Sequence, residues 1–208
     1  MPKLMRVEIV LKGKTPLLMN KMGEDELLAL HTKEKKSKNA PRLEPRKEAE
    51  RKLHQTHDGK PIIGADALFA CLANAGVFIR LDQKRQLSTK TTTLLPAFLN
   101  IDEPYFVIET PGWEVDLRQG RNPNGGEAVC IIRPRFDNWK FKCHVTIDVS
   151  EIGENKIREL FDLAGMRIGL YEFRPQRRGT FGTFMVESWK ELASTDNVDV
   201  PTGVTAKK

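Results

Sequence analysis

Alternation of apolar and polar positions gives the first elements. In residues 5–12, MRVEIVLK, Val7, Ile9 and Leu11 share one side while Arg6, Glu8 and Lys12 fall elsewhere, the two-residue period of a strand with one buried face. The strongest such pattern comes later. AVCIIRPRF, then Asp137 and Asn138, then WKFKCHVTIDV read as the two arms of a long hairpin; in the second arm Trp139, Phe141, Cys143, Val145, Ile147 and Val149 alternate with Lys140, Lys142, His144, Thr146 and Asp148. FGTFMVESW predicts a final strand.

Two stretches carry the helical period instead. In PIIGADALFACLANAG, Asp66 is placed to cap a helix, Leu68, Leu72 and Ala75 fall at i, i+4 and i+7, and Gly76 is placed to end it in the left-handed conformation. Ser150 is expected to cap a second helix with an apolar stripe of Ile157, Leu160, Phe161 and Ala164, closed by Gly165. Two insertions interrupt this pattern, at about 14–60 and about 77–126. The first holds a short acidic helical piece, GEDELLALH, and then a charged run too poor in apolar residues to build a core. Within it, a mobile part is expected at about 32–41 and a short helix from Pro45 to about His54. The second insertion is expected to hold short strands at Phe98–Ile101 and Tyr105–Glu109 and a loop from Gly120 to Gly126.

With the insertions set aside the order is βαββαβ. That order predicts an α+β fold with a ferredoxin-like core, an antiparallel four-stranded sheet with both helices on one face, as in RNA-recognition modules. A single domain over residues 1–192 is expected, followed by a disordered tail at 193–208. The open sheet face and its adjoining loops would then be free for a ligand.

Charge narrows the class of ligand. There are 34 Lys plus Arg against 28 Asp plus Glu, a formal charge of +6, which favours a polyanionic partner. Cys71, Cys130 and Cys143 lack CxxC spacing and are odd in number, which fits a reducing cytosol better than a disulfide framework. The opening MPKLMRVEIVLKGK lacks the apolar core of a signal peptide, and no stretch approaches the roughly 20 apolar residues of a membrane span, so a cytoplasmic protein without a membrane partner is expected. No Ser-His-Asp pattern, P-loop or zinc spacing is present, and no cofactor or metal is expected.

The candidate chemistry concentrates in GLYEFRPQRRGTFGTF, residues 169–184. Glycine permits close approach to a sugar-phosphate chain, Arg174, Arg177 and Arg178 carry planar forks suited to phosphate oxygens, and Tyr171, Phe173 and Phe181 have flat faces on which bases stack. The competing reading is an ordinary turn with solvated arginines and aromatics turned to the core, Phe184 above all. A basic run, Lys33, Lys35, Lys36, Lys38, Arg42, Arg46, Lys47, Arg51 and Lys52, is either an RNA-gripping flap or a solvated segment paired with Glu34, Glu44, Glu48 and Glu50. Arg80, Lys84, Arg85 and Lys90 form a second run, and Arg133 and Arg135 sit where they would line a sheet edge.

Three stretches together resemble the RAMP superfamily, the repeat-associated ferredoxin-like RNA-binding proteins. VEIVLKGKTPLLMN is similar to the family's first strand and its turn at Thr15, Pro16 and Leu17. GKPIIGADALFACLANAG is similar to its proline, isoleucine, proline, glycine and helix segment at Pro61, Ile62, Gly64 and Leu68, with Ile63 where a second proline is common. GMRIGLYEFRPQRRGTFGTFMV resembles its glycine-rich loop at Gly169, Gly179, Phe181 and Gly182.

The resemblance implies a backbone subunit of a CRISPR-type ribonucleoprotein effector complex. Such a subunit coats single-stranded guide RNA, with copies of itself, other effector subunits and target DNA or RNA as partners. The RNA-binding set drawn from the loop and the insertions is Asn20, Lys21, Lys35, Lys36, Arg42, Arg46, Arg51, Lys52, Arg167, Arg174, Arg177, Arg178, Gly179, Phe181 and Gly182. Two alternatives remain open, a stand-alone single-stranded nucleic-acid-binding protein, phage-encoded or not, and a RAMP-type endoribonuclease. The latter would draw on His31, His54 or His57, or on Glu24, Asp25 and Glu26, which otherwise read as solvated histidines and as acidic groups favouring a helix dipole. Binding without catalysis is the expectation.

Overall fold

The computed structural model describes residues 3–32, 43–110, 112–121, 126 and 128–192. In chain order the elements are β1 (Leu4–Gly13), β2 (Leu17–Leu18), α1 (Glu24–Thr32), α2 (Pro45–Arg51), β3 (Ile62–Gly64), α3 (Ala65–Ala75), β4 (Leu99–Ile101), β5 (Tyr105–Val107), β6 (Glu114–Arg121), β7 (Ala128–Phe136), β8 (Lys140–Asp148), α4 (Glu154–Leu163) and β9 (Phe184–Leu192). Among the described residues the strands pair into an antiparallel sheet in the order β4-β8-β1-β9, a second sheet in the order β2-β7-β6, and a β3-β5 pair. The fold is mixed α and β with antiparallel sheets.

The two alternating segments occupy the centre of the first sheet. Met5, Val7, Ile9 and Leu11 of β1 and Phe141, Cys143, Val145 and Ile147 of β8 are buried on one face, and they join Leu68, Cys71, Leu72 and Ala75 of α3 and Ile157, Leu160 and Phe161 of α4 in a single apolar cluster. Burying a phenylalanine or leucine of this cluster contributes about 1.5–3 kcal/mol. Small residues let the helices close up: the Cys71 thiol donates to the Ala164 carbonyl at 3.5 Å. The elements of this layer follow the chain as β1, α3, β4, β8, α4, β9.

The expected hairpin is not formed. AVCIIRPRF becomes β7, which pairs with β6 and β2, while WKFKCHVTIDV becomes β8, which pairs with β1 and β4. The long polar β6, unremarked in the sequence, supplies β7 with a partner from Glu114↔Arg135 to Arg121↔Ala128, and β2 takes its other edge at Leu17↔Phe136 and Leu18↔Arg135. The edge of β8 is taken instead by the three residues of β4, within the predicted Phe98–Ile101 strand. The predicted Tyr105–Glu109 strand is β5, with Glu109 bridged to Lys140 beyond its end. Of the predicted Gly120–Gly126 loop, Gly120 and Arg121 belong to β6, and 122–125 lie outside the described residues.

The helix ends also differ from expectation. Gly64 occupies the N-cap of α3, with Asp66 inside the first turn, and Gly153 occupies the N-cap of α4, because Ser150 is engaged by Asp148 through both its N–H and its hydroxyl. Gly76 keeps right-handed helical angles (φ −57°) and leads into a short 3₁₀ turn. Gly165 does not end α4; the chain continues through a π-helical turn (Ala164–Ile168) and leaves it at Gly169, where φ is +75°. A Cβ at Gly165 would strike the carbonyl of Phe184, so that glycine serves close packing against β9. The expected mobile part at 32–41 and the tail at 193–208 fall, apart from Thr32, outside the described residues; the expected helix from Pro45 is α2, ending at Arg51.

Candidate nucleic-acid interface

Between the π-helical turn and β9 runs the glycine-rich loop, which is tied down along its length. The Leu170 N–H donates to Gly182 O at 2.9 Å, Phe181 N–H to Phe173 O at 3.0 Å and Gly179 N–H to Arg174 O at 3.0 Å. It is also stitched to the turn after β1 and to β2: Gly182 N–H donates to Pro16 O (2.8 Å), Glu172 N–H to Leu18 O (3.1 Å) and Thr183 N–H to the Thr15 hydroxyl (3.0 Å). Gly182 (φ +68°) is required here, since a Cβ would meet the Leu170 carbonyl. Tyr171, Phe173 and Arg178 are non-glycine residues with φ of 56°, 51° and 62°, conformations that cost energy and persist only where the surroundings enforce them. The glycines therefore give a tight, fixed bend.

The loop aromatics are turned to structural partners. Tyr171 stacks on His54 and accepts the Gly64 N–H at 3.2 Å, and burial pushes its phenol up to about 12. Phe184 is buried in the core. Phe173 and Phe181 are partly exposed, and each carries a guanidinium from the β6–β7 hairpin: Arg133 lies 4.7 Å from the Phe173 ring centre and Arg118 lies 4.5 Å from that of Phe181. These two cation–π contacts clamp hairpin to loop, each contributing on the order of 0.5–2 kcal/mol.

Hydrogen bonding at the clamp is incompletely satisfied. Arg118 Nε donates to both oxygens of the buried Asp116, at 2.9 and 2.7 Å. Arg133 is only 6% exposed; its Nη2 lies 3.3 Å from Glu172, while Nε and Nη1 are buried without a hydrogen-bond partner among the described residues. Burial depresses its pKa, with Glu172 opposing, yet an arginine stays charged at neutral pH.

Helix α2 joins the same assembly from the side. Its Arg46 lies 3.5 Å over the Trp113 ring and donates to Trp113 O, and Lys52, just past its end, donates to Glu48 and to Ile132 O on β7 at 2.7 Å. Arg51 pairs with Asp25 at 2.6 Å, and that hydrogen bond holds the Asp25 carboxyl below the usual range. The Lys21 N–H donates to Lys52 O at 3.0 Å, and Asn20 is exposed beside it. Arg174 is half-buried and donates to Tyr171 O and to Gln176. Arg177 and Arg178 stand exposed at the tip of the bend.

The predicted site residues thus divide. Asn20, Lys21, Arg46, Lys52, Arg174, Arg177, Arg178, Gly179, Phe181 and Gly182 belong to one connected group of elements: loop, β2, α2 and hairpin. Arg51 is attached to it through α2 and turned to α1. Arg167 lies apart, its guanidinium 4.6 Å over Phe78 beyond α3. Lys35, Lys36 and Arg42 fall outside the described residues.

The open face of the first sheet differs from the expected ligand platform. β1 and β8 place no Phe, Tyr or Trp on it, and four of its cations are met by carboxylates: Arg6 by Asp102 (2.7 Å), Lys12 by Glu187 (3.1 Å), Lys142 by Glu8 (3.0 Å) and Lys140 by Glu109 (3.5 Å). His144 sits between Glu103 and Glu8. A polyanion gains little from a face neutralised in this way.

No family model and no curated protein matches the chain. Among solved structures it is similar to a chain of the cryo-EM structure of the Type III-B Cmr-beta bound to cognate target RNA, with a TM-score of 0.53 and 10% identity, over 91% of this chain and 61% of that one. The likeness is one of fold. At 61% coverage, this chain spans less than two thirds of its solved neighbour.

The sequence pattern does not single out Arg118, Trp113 or the β6–β7 pairing, and it places Arg133 only at a sheet edge. EVDLRQGR carries a weak alternation, with Leu117 exposed and Asp116 buried, the reverse of what polarity suggests. The available signal was the pair of cationic residues at each end of a β-competent run: Arg118 and Arg121 in β6, Arg133 and Arg135 in β7.

Proposed function

We propose that this protein is a RAMP-type subunit that binds single-stranded RNA, coating guide RNA in a CRISPR-type ribonucleoprotein effector complex in the cytoplasm, by phosphate contacts and without cleaving it. The β4-β8-β1-β9 sheet with α3 and α4 is, on this reading, a ferredoxin-like core with β4 as its second strand. The observation that carries the proposal is the rigid bend that holds Arg177 and Arg178 in solvent beside a hairpin rich in arginine, while the open sheet face is neutralised. The backbone under the arginine pair is already ordered, so phosphate binding costs only the freedom of the two side chains. Fold similarity to a chain from an RNA-bound effector complex supports the same direction. Copies of the chain would meet through surfaces such as α1, which buries none of its residues and exposes Leu27, Leu28 and Leu30.

Sequencing the nucleic acid that copurifies with the protein tests the reading. Short RNAs of uniform length are expected. Recovery of DNA alone, or equal affinity for RNA and DNA of one sequence, would favour a stand-alone single-strand binder, because only RNA has the 2′-OH.

A further inference from the structure

We propose that Arg133 is a concealed phosphate site, covered by Glu172 and Phe173 until an RNA phosphate takes the place of the Glu172 carboxylate. The inference rests on the single-stranded RNA reading and adds one binding residue and one displaced residue to it.

Arg133 has the chemistry of a site without its ligand. The residue is 6% exposed; among the described residues its Nε and Nη1 are buried without partners, and its one ion pair, from Nη2 to Glu172 Oε2, is 3.3 Å long. A guanidinium fork is satisfied by two acceptor oxygens at once, and the non-bridging oxygens of a phosphodiester present such a pair. Asp116, the other acid beside it, is already held by Arg118 through both oxygens. The hairpin therefore presents two guanidiniums to the loop against one buried carboxylate, with Glu172 as a detachable second.

The cover is poised to move. Glu172 is 39% exposed on its side chain, and Phe173, also 39% exposed, lays its ring over the guanidinium. The Glu172 backbone is pinned through its N–H to Leu18 O, so the carboxylate swings away on its own side chain while the bend stays fixed. The adjoining tip bears Arg177 and Arg178, which would bring a strand to the cover before it opens.

Anisotropy titrations of a fluorescein-labelled oligouridylate across a salt series test this with Glu172→Gln, Arg133→Gln, Arg133→Lys, the Arg133→Gln/Glu172→Gln double variant and Arg177→Gln/Arg178→Gln. Glu172→Gln is expected to tighten binding by roughly tenfold, because it removes the competitor for the site. Arg133→Gln should lower the slope of log K against log salt by about 0.7, one phosphate contact on a single strand, and Arg133→Lys should restore it. The gain from Glu172→Gln should vanish in the double variant. If Arg133→Gln fails to fold, as a melting curve would show, the Glu172→Gln result decides alone. Unchanged affinity and slope in the Glu172 and Arg133 variants, with Arg177→Gln/Arg178→Gln still weakened, would overturn the concealed site and leave the RNA reading intact. Absence of salt-dependent binding by the unaltered protein would overturn both.

Discussion

The imidazole of His54 lies nearly parallel to the Tyr171 ring, with centroids 4.9 Å apart and planes 24° from parallel. The stack ties the end of the first insertion to the glycine-rich bend, and it places a titratable ring under cover. Burial lowers the His54 pKa from 6.5, Lys21 acts in the same direction, and Asp66 opposes them. With the folded value depressed, the unfolded chain takes up the proton first, so this contribution is whole above pH 6.5 and is lost as pH falls through 6.5 towards the folded pKa. Each unit of difference is worth about 1.4 kcal/mol. Urea midpoints measured from about pH 7.5 to about pH 5.5 should fall more steeply in the unaltered protein than in His54→Phe, which keeps a ring and removes the proton site. Identical slopes would show that the stack does not suppress protonation.

Gly182→Ala should destabilise the protein by about 2 kcal/mol or more, since it adds a left-handed alanine to a collision with the Leu170 carbonyl. Gly126 also has a positive φ, +70°, but among the described residues nothing stands within 4 Å of its missing Cβ, so Gly126→Ala should cost only about 1 kcal/mol. Denaturant titrations of the two variants check the difference; equal losses would mean that Gly182 is not packed against the Leu170 carbonyl as described.

Thiol chemistry reports on the same core. Cys71 and Cys143 are buried, which pushes the Cys71 thiol up to about 12 and raises that of Cys143 further, whereas Cys130 is exposed on β7. A disulfide reagent should titrate Cys130 rapidly in the folded protein and the other two only on unfolding. Bound RNA should slow the Cys130 reaction if the hairpin borders the strand.

Much of the first sheet was legible in the sequence because β1 and β8 each bury one side, and the period of two survives in Val7, Ile9 and Leu11 and in Phe141 to Ile147. Partner choice was not legible. β7 looked like the natural mate of β8, and only the spatial arrangement assigns it to β6, a strand whose polarity hides it. The glycine bend was visible as a motif, but its rigidity comes from Pro16, Leu18 and Thr15, more than 150 residues away along the chain. The roles of Arg46 and Arg174 as structural donors were likewise hidden, since a free and an engaged arginine look the same in a sequence.

The central claim, that a strand is held by the bend and not by the sheet, is tested most directly by the salt dependence of single-stranded RNA affinity in three proteins: unaltered, Arg177→Gln/Arg178→Gln on the bend, and Lys12→Gln/Lys140→Gln on the open sheet face. Affinity should fall steeply with salt in the first, the bend pair should lower that slope by about 1.4, two phosphate contacts, and the sheet pair should leave it unchanged. A slope lowered by the sheet pair and untouched by the bend pair would contradict the account.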